Sequence, residues 1–157
     1  MTANNLRLAL FGICLIITQF FVNNFTIFYV DLFAILLVSI LMLGSFSWGM
    51  LIILSIVADV IGHWALGSHL LAIILLSIFS GRFVNFYGMF GFFQRTIVTA
   101  LFFLALIIIS YIIELLTGKV FTSVRSILLE IFILLPLVQF ILGKFIFKRS
   151  SDLIYHD

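Results

Sequence analysis

Residues 58–72 read ADVIGHWALGSHLLA, which places an aspartate, two histidines, two glycines and a serine between two runs of almost pure hydrocarbon. Three kinds of chemistry are open to such a set. Asp59 and His63 stand at i and i+4, on one face of a helix, and with His69 they offer the carboxylate and imidazole ligands that hold a divalent transition metal. A carboxylate ending one helix can instead accept the free N–H groups that start the next, here near Gly67, Ser68 and His69, when a turn at 62–67 folds the chain back. A histidine near its ordinary titration range can also sense pH. The metal reading lacks a recognised ligand spacing, and no metal or cofactor is expected. The leading expectation is a structural clasp between two helices, or a charge pair of Asp59 with Lys119 or Arg125, because carboxylates inside a membrane are normally paired.

Catalytic patterns are absent from the sequence. Ser68 beside His69 is no triad, since neighbours on a helix point about 100° apart. There is no HExxH, no phosphate-cradling glycine loop and no cysteine placed beside a base, so an enzyme is not expected. The lone Cys14 sits in an apolar run and reads as a small buried residue, with no partner for an internal disulfide. Glu114 and Glu130 come from facing helix ends. They suit an acid pair for proton handling, or, more plainly, charge balance with Lys119 and Arg125.

The elements that must carry these residues belong in a membrane. Of 157 residues 65% are hydrophobic and 9% charged, and the mean hydropathy is +1.41. The chain reads as a single all-α membrane domain over 1–157 with about six spans, at 8–22, 31–43, 48–61, 66–80, 96–117 and 127–147. The second, third and fourth are short, so each borrows flanking residues, thins the bilayer or includes a re-entrant piece, and five spans remain an alternative. No small-residue cleavage site follows Ile17, so the first run reads as a retained helix. Residues 82–95, RFVNFYGMFGFFQR, read as an interfacial connection because aromatic rings favour headgroup level. Pro136 should kink the final span. The 20 phenylalanines read as lipid contact and core. A six-span path from a cytoplasmic N-terminus puts Arg7, Arg82, Arg95, Lys144, Lys148 and Arg149 inside and only Lys119 and Arg125 outside. Both termini are therefore expected in the cytoplasm. The acidic and histidine side chains then fall at the outer ends of their helices, and the basic rim faces anionic headgroups. A net charge of +2 gives no reason to propose nucleic acid as a partner.

In the third span, Trp48, Ile52, Ser55, Asp59 and Gly62 recur three or four residues apart. The small and polar members of that stripe should face protein, where small side chains permit close helix contact.

Gly49, then Ala58-Asp59-Val60, then Gly62 and Leu66-Gly67-Ser68-His69-Leu70-Leu71-Ala72 resemble the central signature of the rod shape-determining protein MreD family. The likeness covers about 31–80. It departs at Val30, where the family usually has proline, and at Ser55, where it often has glycine. The resemblance implies a six-helix membrane fold like that of the substrate-binding subunits of energy-coupling factor transporters. It also implies a non-enzymatic scaffold of the bacterial cell-elongation machinery in the cytoplasmic (inner) membrane. Such a scaffold binds a bitopic MreC-like protein and links it to an MreB-like cytoskeleton, a RodA-like glycosyltransferase and its penicillin-binding partner. Under this reading Asp59, Gly62, His63, Gly67 and His69 form the clasp or the partner contact. The alternative is a small-molecule, vitamin-like binding subunit of a transporter, since the same fold holds a vitamin near its outer face.

The charge asymmetry generates a topology test. Cysteines introduced at Ser123 and Ser151 in a Cys14→Ser background should react with an impermeant maleimide from opposite sides of the membrane. Labelling of both from one side would sink the six-span path.

Overall fold

A computed structural model describes residues 3–26, 29–43, 48–62, 64–87, 89–117 and 124–142, and among these every regular element is helical. The helices are α1 (Ala3–Phe25), α2 (Leu32–Leu43), α3 (Trp48–Ile61), α4 (Ser68–Tyr87), α5 (Phe92–Thr117), α6 (Val124–Leu129) and α7 (Leu135–Ile141). A π-helical turn over Glu130–Leu134 joins α6 to α7. The residues flanking this turn keep ordinary α backbone angles, so 124–141 forms one rod.

The sequence of α2, LFAILLVSILML, is apolar on every face, a pattern suited to a helix surrounded by protein. It is the axis of the bundle. Every residue from Leu32 to Met42 is buried, and α2 packs against α1, α3, α4, α5 and the final rod. The surrounding helices are apolar on their outward faces too. On α5, the buried face carries Thr99, Phe103, Leu106, Ser110 and Glu114. Its opposite face exposes Phe93, Ile97, Leu101, Ile112 and Leu116. By length and composition α5 can cross a membrane, whereas the other apolar helical stretches are shorter.

Hydrogen bonds show which helix ends meet. The start of α2, the end of α3, the start of α4, the end of α5 and the π turn gather at one end, here the acidic end. The end of α4, the start of α5 and α7 meet at the other. From α2 onward, successive rods therefore alternate in direction.

Several sequence boundaries shift. The fourth helix runs on past Ser80 to Tyr87 and the fifth begins at Phe92, so the expected 82–95 connection is mostly helix. Hydropathy marks where a chain becomes polar, but helical hydrogen bonding continues until a residue stops it, and no proline lies in this stretch. The real break is short: Met89 and Phe90 N–H close turns onto Phe86 and Tyr87 carbonyls. Gly91 then caps α5, its N–H donating to Gln94 Oε1 at 3.1 Å, one half of a capping box. Gly88 lies outside the described residues, as do 44–47 and everything after Leu142. Before Pro136, the site of the expected kink, the helix widens into the π turn. Leu135 N–H bonds to Glu130 O, five residues back. The wider turn sits directly before a residue that has no N–H of its own.

On α3 the small and polar members of the stripe, Ser55, Asp59 and Gly62, are buried as expected, and its large apolar members are not. The buried residues of α3 itself are Leu51, Ser55, Ala58 and Asp59, while Trp48 and Ile52 are exposed. At about 100° per residue, Leu51 lies nearer the angular position of Ser55 than Ile52 does, and Trp48 is the helix's first residue.

Gly67 has φ +94°, so an added side chain is strained there although nothing lies within 4 Å of its would-be Cβ. Gly49, inside α3, also has open space but no such angle. Gly67→Ala should lower unfolding stability in detergent by about 1–2 kcal/mol, the cost of a left-handed non-glycine residue. Gly49→Ala should leave stability unchanged or raise it by up to about 1 kcal/mol. Equal effects would remove the conformational argument.

Candidate functional site

At the acidic end the chain buries four carboxylates, Asp31, Asp59, Glu114 and Glu130, each no more than 4% exposed. An ionised carboxylate away from water needs donors. Asp59 lies in the last turn of α3, where the helix dipole opposes an anion, but the chain turns back and brings the start of α4 to it. Its Oδ2 accepts the Gly67 N–H at 2.7 Å. Its Oδ1 accepts the Ser68 hydroxyl at 2.8 Å and the His69 N–H at 3.0 Å. These are the free amides of a helix N-terminus, which favour negative charge.

His69 carries the network to a second helix. Its Nδ1 stands 2.7 Å from Asp59 Oδ1 and its Nε2 3.2 Å from Asp31 Oδ2, an ion-pair contact rather than a directed hydrogen bond. The ring is fully buried and meets Trp64 in a T-shaped contact with 5.3 Å between centroids. Asp31 is the N-cap of α2, its Oδ1 accepting the Ala34 N–H at 3.0 Å. The Asp31 N–H in turn donates to Glu130 Oε1, and the Ala65 N–H donates to Glu114 Oε1. Each of the four carboxylates therefore accepts at least one backbone N–H.

Neutral side chains close the periphery. Tyr29 donates its hydroxyl to the Gly62 carbonyl; burial first, and then the charge of Asp31, push its phenol up to about 12, so the proton stays in place. Tyr29 N–H reaches Ser126 Oγ at 3.2 Å. From α1, Asn23 binds both backbone groups of Val30, and Gln19 Oε1 accepts the Phe33 N–H at 3.3 Å.

Of the residues singled out in sequence, Asp59, Gly67 and His69 come together here. Gly62 makes a different close approach: a Cβ on it would lie 2.4 Å from the Trp64 ring, so the missing side chain makes room for this chain's own tryptophan. His63 and Lys119 lie outside the described residues, as does the side chain of Arg125. Among the described residues, no group of three histidine, cysteine or acidic side chains is arranged to hold a metal ion. The described partners of Glu114 and Glu130 are backbone amides and not each other. Sequence reasoning placed Asp31 among the acidic side chains at the outer helix ends but missed its place in the site as the N-cap of α2. Its signal was an aspartate directly before an apolar helix, the ordinary N-cap pattern. Nothing local foretold that His69 would reach it. Cys14, expected to be buried, is exposed.

Removing the carboxylate strands its donors. Asp59→Leu should lower stability by about 1–3 kcal/mol, the cost of buried unsatisfied polar groups, with no loss of bound metal. Stoichiometric zinc in the wild type by elemental analysis, abolished in His69→Ala, would overturn this arrangement. A His69→Leu, Asp31→Asn double-mutant cycle should give a coupling of roughly 0.5–3 kcal/mol, as for residues in one polar network.

Comparison with protein-family models, curated proteins and solved structures gives no match.

Proposed function

We propose that this chain is a multi-pass membrane protein that acts as a non-enzymatic scaffold of the MreD type, binding a bitopic MreC-like partner in the bacterial cytoplasmic membrane. Outward-facing Phe, Ile and Leu on α1, α4 and α5 support the membrane reading, because an apolar outer surface of this extent suits hydrocarbon rather than water. The short α2 is compatible with it. Protein surrounds that helix, so its length need not match the ~30 Å of the lipid core.

One observation carries the scaffold reading: the described carboxylates and His69 are all engaged in holding helix ends of their own chain. Groups so engaged set shape rather than attack a substrate. The resemblance in 31–80 supplies the partner class, and the extended links to MreB-like, RodA-like and penicillin-binding proteins follow from it. The partner contact is placed at the turn after α3, where Leu66 is 75% exposed beside the open space at Gly67.

The test is co-expression with an MreC-like bitopic protein followed by affinity capture. Wild-type chain should retain the partner, and Leu66→Glu should reduce capture by about tenfold while staying monodisperse, as expected when an interface side chain worth about 1.4 kcal/mol is lost. Full capture by Leu66→Glu would move the contact elsewhere. Wild-type chain that captures no partner but binds a vitamin tightly would favour the transporter alternative.

A further inference from the structure

The buried ring of His69 meets a carboxylate on each side, and the hydrogens around it can be counted. Asp59 receives the Gly67 N–H at 2.7 Å on Oδ2, and the Ser68 hydroxyl at 2.8 Å and the His69 N–H at 3.0 Å on Oδ1. The ring nitrogen Nδ1 stands 2.7 Å from the same Oδ1. With donors arriving at both of its oxygens, Asp59 is a carboxylate, so Nδ1 is the donor in their contact. On the other side of the ring Nε2 stands 3.2 Å from Asp31 Oδ2. A neutral imidazole has one N–H and one lone pair. If Nδ1 holds the only proton, the Nε2 lone pair is set against a carboxylate oxygen among buried groups, where water does not screen the two. One more proton, on Nε2 or on Asp31, removes that conflict.

The surroundings place this proton on the ring. Asp31 is the N-cap of α2, its Oδ1 accepting the Ala34 N–H at 3.0 Å, and the positive pole of that helix favours an ionised carboxylate. From α2 the ring faces Asp31, from α3 it faces Asp59, and from the turn before α4 it faces the uncharged Trp64. The π turn and α5 bring Glu130 and Glu114 to the same end, where they accept the N–H groups of Asp31 and Ala65. Tyr29 donates its hydroxyl to the Gly62 carbonyl, and α1 contributes the neutral Gln19 and Asn23.

We propose that His69 is a buried proton-binding site that couples α4 to α2, its ring held as an imidazolium between Asp59 and Asp31. Loss of the proton on Nε2 leaves the Nδ1 bond to Asp59, and with it the tie between α3 and α4, but removes the attraction between α4 and α2. One helix contact is thereby sensitive to protons while its neighbour is not. The inference rests on contacts within the chain and on neither the scaffold role nor the membrane reading.

The test is nuclear magnetic resonance of the full chain in detergent, with nitrogen-15 in the histidine rings, at about pH 7.5, where an ordinary imidazole is about tenfold more neutral than charged. The resonances lost in His69→Gln identify the ring. In the wild type both of its nitrogens should carry a proton. Asp31→Asn keeps a good N-cap residue and should leave a proton on Nδ1 alone. Equilibrium unfolding in the same detergent gives a second readout. Above the ordinary imidazole range the unfolded chain holds one proton fewer than the folded chain, so the contribution of this site to stability declines as pH rises. Between about pH 7 and pH 8 the wild-type folding constant should fall about tenfold relative to that of Asp31→Asn. A bare ring nitrogen in the wild type, a ring still doubly protonated in Asp31→Asn, or parallel pH profiles for the two proteins would each overturn the proposal. The wild-type spectrum decides the matter even where a variant does not fold.

Discussion

A carboxylate withdrawn from water must be met by donors, and the position of Asp59 makes that requirement govern much of the bundle. At the end of α3 it faces the unfavourable pole of its own helix, while the start of α4 supplies two backbone N–H groups and a serine hydroxyl within 3.0 Å. To bring those donors round, the chain needs a tight reversal with Gly67 in a left-handed conformation. His69, the second residue of α4, is thereby carried into the interior, where its two ring nitrogens face two different aspartates. One of these, Asp31, starts the helix around which the others pack.

Polar contacts at both ends give the bundle something its apolar middle lacks. Leucine, isoleucine and phenylalanine pack well at several helix offsets, so burial alone leaves the axial register weakly specified. At the acidic end, α2 is tied to α4 through Asp31 and His69, to the π turn through Glu130, and to α1 through Gln19. At the opposite end Tyr87, Thr99 and Gln139 join α4, α5 and α7. Sliding α4 by one turn would break contacts at both ends together, since a helical turn advances about 5.4 Å.

The two ends nevertheless differ chemically. The carboxylates of the acidic end are buried and meet amides of their own chain, so that end holds helix ends together. The opposite end combines an arginine with a cavity and an aromatic rim.

Much of this was legible in the residues themselves. Composition and apolar runs determined an all-helical chain, because hydrocarbon segments of this length bury their amides only by bonding them internally. The span expected at 48–61 coincides with α3, and the glycines and donors around 67–69 marked where the Asp59 carboxylate could be met. The ends of α4 and α5 were obscured by aromatic and charged residues that signal a membrane boundary without stopping a helix; the capping half-box at Gly91 and Gln94 was the better local sign. Only the tertiary structure decided which helix lies at the centre, that Glu114 and Glu130 meet backbone amides, and that His69, beside Asp59, reaches Asp31 across 38 residues of chain. Local sequence sets backbone preference and polarity, but which buried donor finds which acceptor depends on how the helices pack, and that is a property of the whole chain.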